Sequence, residues 1–385
     1  MSSHEISNPP RLLLAALMSL AASALLAACA PAGQPTTTPV PVATEPVATS
    51  APTATSSPAP SPTPSPRPLP TWPPLRQPPG NVATAAKVEL GRQLFYDPVL
   101  SVSNDMSCAT CHHPDLGFSN GEAVSEPRPG APPRNVSGLW NTGYNAFLLW
   151  DGRETSLESQ ARLPLTLPNE MAETPERLEA TLRAIPAYVD LFDAAFGGGA
   201  DAVTFDHVTQ ALADFQRTLI SDDSPYDRFV AGDTSALTEQ QQRGMDLFFS
   251  QRTHCSECHR PSLFANETFR VDGVASDDPG RAGVNERGLY GAFKVPGLRN
   301  IALTAPYMHN GSFATLEEVV QFYADGAGRA NGFPRVDPLL RGFDLTPQEK
   351  ADLVAFLHGL TDESRLPPVP EIALSGLPTV ERIAH

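Results

Sequence analysis

Cys108-Ala109-Thr110-Cys111-His112 and Cys255-Ser256-Glu257-Cys258-His259 hold four of the five cysteines of the 385-residue chain, and a histidine closes each pair. Two thiols at this spacing can add to the vinyl groups of a haem, and the next residue then lies beneath the iron as its proximal ligand. A disulfide, a thioredoxin-like pair or half of a zinc site are the competing uses. A redox pair needs no histidine, and a four-ligand zinc site wants its cysteine pairs closer together than the 147 residues found here. Two covalent c-type haems are therefore the expected chemistry, on Cys108, Cys111 and His112 and on Cys255, Cys258 and His259. Other chemistries leave no trace. There is no Gly-x-Ser-x-Gly elbow, and Gly326-Ala327-Gly328 follows no convincing strand that could open a dinucleotide loop.

The sequence that must position these motifs repeats with them. Leu90-Gly91-Arg92-Gln93-Leu94-Phe95 precedes the first, and Arg243-Gly244-Met245-Asp246-Leu247-Phe248 precedes the second. Such a repeat predicts two similar domains in tandem, 83–236 and 237–364, followed by a tail over 365–385. Helices dominate the expected fold. Thr346-Pro347-Gln348-Glu349 joins an N-cap, a first-turn proline and a capping-box acid ahead of Leu353, Phe356, Leu357 and Leu360 at helical spacing. Thr238 to Gln241 offers a similar start, and Ala211, Leu212, Phe215 and Leu219 mark another apolar face. Strand alternation is scarce, so the fold class is mainly α, two tandem cytochrome c-like haem domains with long loops.

The chain opens with Arg11 and an apolar run from Leu12 to Ala28, ending Leu26-Ala27-Ala28-Cys29. A basic residue, an apolar stretch and small residues at the cut read as a secretory signal over 1–28. Cys29, directly after them, resembles the lipidated cysteine of bacterial lipoproteins; a plain signal with a chance cysteine is the alternative. Residues 29–82 read as a disordered Pro/Thr/Ser-rich tether. Seventeen of the 41 prolines fall between Pro31 and Pro79, and only Glu45, Arg67 and Arg76 are charged. Localisation is thus expected to be exported and lipid-anchored, on a periplasmic or extracellular face. The net charge of −16 repels nucleic-acid phosphates, which excludes nucleic acid as an expected partner.

From about Ala83 to Leu360 the chain resembles the bacterial di-haem cytochrome c peroxidase family, which includes the MauG-type enzymes. The matching segments include Pro133-Arg134-Asn135, Trp150-Asp151-Gly152-Arg153, Leu157 to Gln160, Asn169-Glu170-Met171, Lys294-Val295-Pro296, Leu298-Arg299-Asn300 and Thr304-Ala305-Pro306-Tyr307-Met308-His309-Asn310-Gly311. The resemblance implies that His112 lies under a peroxidatic haem with Glu170 as distal acid–base residue. It gives Gln160 the task of orienting peroxide, Pro164 the pocket wall, and Trp150 the relay between haems. Asn135, Thr304 and Pro306 look like the family's inter-haem calcium site, whose oxygens suit a hard cation. Taken singly, each could be an ordinary loop carboxylate, core aromatic or turn residue.

Two departures place the chain within that family. Members that must first be reduced carry a histidine in the loop after the first motif, yet Pro114 to Gln160 contains none. His113 sits beside the proximal ligand, badly placed to reach over the distal face, so the peroxidatic haem is expected to be open when oxidised. Standard peroxidases also place Met where this chain has Tyr323, fourteen residues after His309, whereas MauG-type enzymes place Tyr. Tyrosinate is a hard donor that lowers an iron's potential, whereas Met raises it. Met308 is the rival ligand, and a core tyrosine is the plain alternative for Tyr323. Against a full MauG assignment, Gln251-Arg252-Thr253-His254 lacks the surface tryptophan that MauG carries before its second motif. The implied activity is reduction of hydrogen peroxide to water with electrons from a small donor protein, a cytochrome c or a cupredoxin. A MauG-like oxidase of a protein or organic substrate is the alternative, and a non-catalytic electron-transfer module the third. A homodimer is one compatible assembly.

Overall fold

The structure is a computed structural model and describes residues 71–125, 132–331, 333 and 335–383. The expected leader, Cys29 and the tether as far as residue 70 lie outside the described residues. Eleven α-helices run through the described chain: α1 (Ala85–Tyr96), α2 (Cys108–Cys111), α3 (Leu157–Thr166), α4 (Pro175–Arg183), α5 (Pro186–Phe196), α6 (Phe205–Arg217), α7 (Pro225–Val230), α8 (Glu239–Phe248), α9 (Cys255–Cys258), α10 (Leu316–Ala324) and α11 (Pro347–His358). Short β1 (Phe269–Val271) and β2 (Ala292–Lys294) pair antiparallel with Arg270 opposite Phe293. No helix among the described residues is long and apolar enough to cross a membrane.

The sequence repeat is a repeated helix crossing. Gly91 on α1 lies so close to α6 that a Cβ there would stand 1.9 Å from the Ala211 carbonyl oxygen. Gly244 on α8 meets α11 the same way, 1.8 Å from that of Asp352. Only glycine lets two backbones approach so far. Around the first crossing Leu90, Leu94, Phe95, Leu212 and Phe215 form one apolar core. A second core gathers Met245, Phe248, Leu353, Phe356, Leu357 and Leu360. Capping starts α8 and α11 as their sequences predict, with Thr238 and Thr346 each accepting an N–H one turn on and Gln241 and Glu349 reciprocating.

Three segments make contacts across the expected boundaries. Helix α7, placed in the first domain by the 83–236 division, belongs to the second core. Its Tyr226 is buried against Phe249, Phe264 and Phe356, with ring centroids 5.1–6.3 Å apart. The tether ends earlier than 82. Trp72 packs on Tyr144, the Arg299 guanidinium lies 4.7 Å over the Trp72 ring, and Arg76 N–H donates to the Gly143 carbonyl. The tail, finally, is no loose end. Leu366, Val369, Leu374, Leu377 and Val380 pack on the first core, although they follow the second in sequence.

Candidate active site

Each haem motif forms one helical turn that ends on its histidine. In α2 and α9 the His112 and His259 N–H groups donate to the carbonyls of Cys108 and Cys255 at 2.9 Å. The rings are then fixed from behind. His112 Nδ1 lies 2.8 Å from the Phe118 carbonyl and His259 Nδ1 2.9 Å from that of Phe264. A carbonyl only accepts, so Nδ1 carries the proton and Nε2 is left with the lone pair a metal needs. Burial pushes His259 below its ordinary value and keeps it neutral. Phe118 and Phe264 are fully buried and both adopt positive φ, 60° and 53°, which turns their carbonyls toward the rings. All four described cysteines are free, and no group of three or more His, Cys, Asp or Glu among the described residues could hold a bare metal ion. The disulfide and zinc alternatives therefore find no support.

A continuous cavity of about 590 Å³ joins the two motifs, with Cys108, Cys111, His112, Cys255, Cys258 and His259 all in its wall. At its first end stand Gln160 and Pro164 from α3, with Glu170 from the loop beyond. That loop folds back on the helix: Glu170 N–H donates to Leu167, and Met171 N–H to the Pro164 carbonyl. Burial raises the Cys108 thiol to about 12, and the Glu170 carboxylate lies near enough to add to the rise at both Cys108 and Cys111. At the other end stands Tyr323 from α10, and Met308, in a left-handed turn at φ 73°, lines the same cavity. Burial, with Asp272 nearby, pushes the Tyr323 phenol well above its ordinary value.

Between the ends stands Trp150. Its Nε1–H donates to the Asn135 carbonyl at 2.8 Å, and its ring meets His309 edge-on at 6.5 Å. Arg134 fastens this region, since its guanidinium reaches Asp278 at 2.6 and 2.9 Å and Asp151 at 2.6 Å. Burial alone would raise the Asp151 carboxyl, but hydrogen bonds from Arg153 and Arg134 hold it below the usual carboxylate range. Asn135, Thr304 and Pro306 line the same cavity. The Asn135 amide donates to the Glu122 carbonyl and the Thr304 hydroxyl to that of Ile301. His113 points elsewhere, its Nε2 donating to the Glu381 carbonyl at 2.9 Å.

The cavity wall also holds polar groups that the protein leaves unsatisfied. Trp140 Nε1 and both ring nitrogens of His309 are buried without a hydrogen-bond partner, at residues 9% and 2% exposed. Buried polar atoms rarely go unpaired, so a polar occupant is called for. A porphyrin with two carboxylates, attached through the adjacent cysteines, fits that demand as well as the histidine geometry. Sequence reasoning missed both residues. Trp140 lies in no quoted motif, and His309 was quoted without a role.

A sequence profile of the di-haem cytochrome c peroxidase family matches residues 85–235. The chain is 39% identical over 304 residues to the methylamine utilization protein MauG of Methylorubrum extorquens, covering 77% of this chain and 84% of that one. It is 34% identical over 284 residues to cytochrome c551 peroxidase of Pseudomonas aeruginosa, covering 71% and 78%. Among solved structures, a MauG-like protein associated with microbial copper homeostasis superposes with a TM-score of 0.70 at 35% identity, over 78% of this chain and 95% of that one. The chain belongs to the di-haem cytochrome c peroxidase family, MauG branch included, and is a peroxidase-type oxidoreductase. Two c-type haems come with that membership.

Proposed function

We propose that the chain reduces hydrogen peroxide to water at its N-terminal haem, drawing two electrons from a small redox protein through the C-terminal haem. The observation that carries this reading is the convergence of Glu170, Gln160 and Pro164 on the cavity end that holds His112. Haem iron supplies the site where peroxide binds and the electrons that cleave its O–O bond. Glu170 takes the proton from the near oxygen and returns it to the departing one, while the Gln160 amide holds the peroxide in line and Pro164 walls the pocket. Trp150, hydrogen-bonded in place between the haem sites, serves as the relay. Asn135, Thr304 and Pro306 hold a calcium ion beside it, and Cys29 anchors the exported chain to a membrane.

Glu170→Gln tests the reading. The amide is nearly isosteric but cannot shuttle a proton, and such assistance is worth ~10²–10⁴-fold. Both haems should remain, with peroxide turnover falling into that range; a loss below about tenfold would remove Glu170 from the role.

A MauG-like oxidase is the second reading, favoured because the C-terminal pocket offers a tyrosine, Tyr323, from its helix α10. Oxidation products in a co-purified protein, absent without peroxide, would establish it.

A further inference from the structure

The end of the chain returns to the proximal side of the first haem motif. The loop after His112 is tight: Pro114–Leu116 form one 3₁₀ turn, then Gly117 and Phe118 follow at φ 64° and 60°. Two consecutive left-handed residues, one of them a phenylalanine, persist only where the surroundings hold them. Part of the hold is local, since His113 N–H donates to Ser119, Phe118 N–H donates to His113, and the Phe118 ring packs edge-on against Phe95 and Trp140; the rest comes from far along the sequence. Glu381 offers its carbonyl to His113 Nε2 at 2.9 Å, Ile383 N–H donates to Asp115 Oδ2 at 2.7 Å, and Arg382 pairs with the same carboxylate. The Asp115 side chain is completely buried, whereas that of Arg382 is 47% exposed.

A second anchor lies upstream. Ser375 donates to Asp97 through its hydroxyl at 2.6 Å and its N–H at 3.1 Å, and buried Tyr188 donates to the same carboxylate at 2.7 Å. The second haem motif is held differently. There Asn266 Nδ2 donates to the Glu257 carbonyl at 3.1 Å within the motif's own loop, and Arg299 Nε donates to the Ser262 carbonyl at 2.6 Å, so its distant partner is Arg299 and not the C-terminal segment.

We infer that the C-terminal segment is a clamp on the proximal side of the N-terminal haem, in which Glu381, Arg382 and Ile383 fix the loop whose Phe118 carbonyl orients His112. These are positioning residues, three steps from the iron. The carbonyl that accepts from Nδ1 raises the basicity of the proximal imidazole and so tunes the metal it binds. Loosening the loop should weaken that acceptor, make His112 a poorer donor and favour the reduced iron.

The inference rests on haem attachment at Cys108–His112, so the test reads haem content first. Full-length holoprotein would carry Arg382→Ala, Arg382→Lys or a deletion of residues 381–385. Resonance Raman of the reduced protein gives each iron–histidine stretch, and a redox titration gives both potentials. Arg382→Ala should lower the iron–histidine frequency of the N-terminal haem and raise its potential, with the C-terminal haem unmoved. The deletion should shift both quantities further, and Arg382→Lys should restore part of the change. A di-haem protein whose N-terminal haem is unmoved by the deletion, or whose two haems shift alike, overturns the clamp while leaving the peroxidase reading intact. A full-length protein without haem on Cys108 and Cys111 overturns both.

Discussion

Tyr323 and Met308 are the two candidate ligands for the C-terminal haem, and their donors would pull an iron's potential in opposite directions. The phenol is held protonated by burial and by nearby Asp272, so only a strong cation at its oxygen would ionise it. Ferric iron is such a cation, whereas a thioether needs no ionisation. Tyr323→Met should raise the C-terminal haem's potential and exchange a phenolate-type spectrum for a thioether one, leaving the N-terminal haem's resting spectrum unchanged. A wild-type protein that already shows thioether ligation by EPR would assign the position to Met308 and leave Tyr323 in the core. At this scale the sequence is readable where residues share one turn at a fixed spacing, as each Cys-x-x-Cys-His does. It is silent where the property is a missing neighbour. Nothing in the letters around Trp140 or His309 says that their nitrogens find no partner in the folded chain.

Helix α8 meets α11 at Gly244 with no room for a methyl group. Gly244→Ala should therefore force the crossing apart and cost ~1–3 kcal/mol, measurable as a lowered midpoint in chemical denaturation. An unchanged midpoint would mean that the contact relaxes without strain. The paired glycines, the threonine caps and the helical faces were all legible because each is local: a cap and its acid lie three residues apart, a helix face repeats within seven. The packing of helix α7 on the second core was not legible, for the opposite reason. Tyr226 owes its allegiance to Phe249, Phe264 and Phe356, and those partners are named by the fold, not by the neighbouring sequence. The strap over Thr71–Asn81 was hidden by composition. Its prolines and polar residues look like linker, yet Arg76 bonds backbone to backbone, and Asn81 reaches Glu158, Gln210 and Asp214.

Across the whole molecule, two apolar cores are tied by chain segments that ignore their order in sequence. Residues 366–380 leave the second core and complete the first, while Trp72 bridges Tyr144 of the first and Arg299 of the second. Neither half closes its own surface. The haem-loaded protein should therefore unfold in one calorimetric transition, its calorimetric enthalpy matching the van't Hoff value, instead of melting as two domains. Deleting 366–385 together with Trp72→Ala should split the transition in two. A split already present in the wild type would show that the ties are too weak to couple the cores.

The strap also decides how the body answers a pull. A force applied to the chain ahead of Thr71 does not reach a helix end that could be peeled back turn by turn. It arrives first at Trp72, lodged between Tyr144 and Arg299, and then at the Arg76 backbone bond to Gly143. The load thus meets these contacts one after the other, at the seam between the halves. Trp72 and then Arg76 must yield before tension can reach Cys108, leaving the first haem motif mechanically downstream of both contacts.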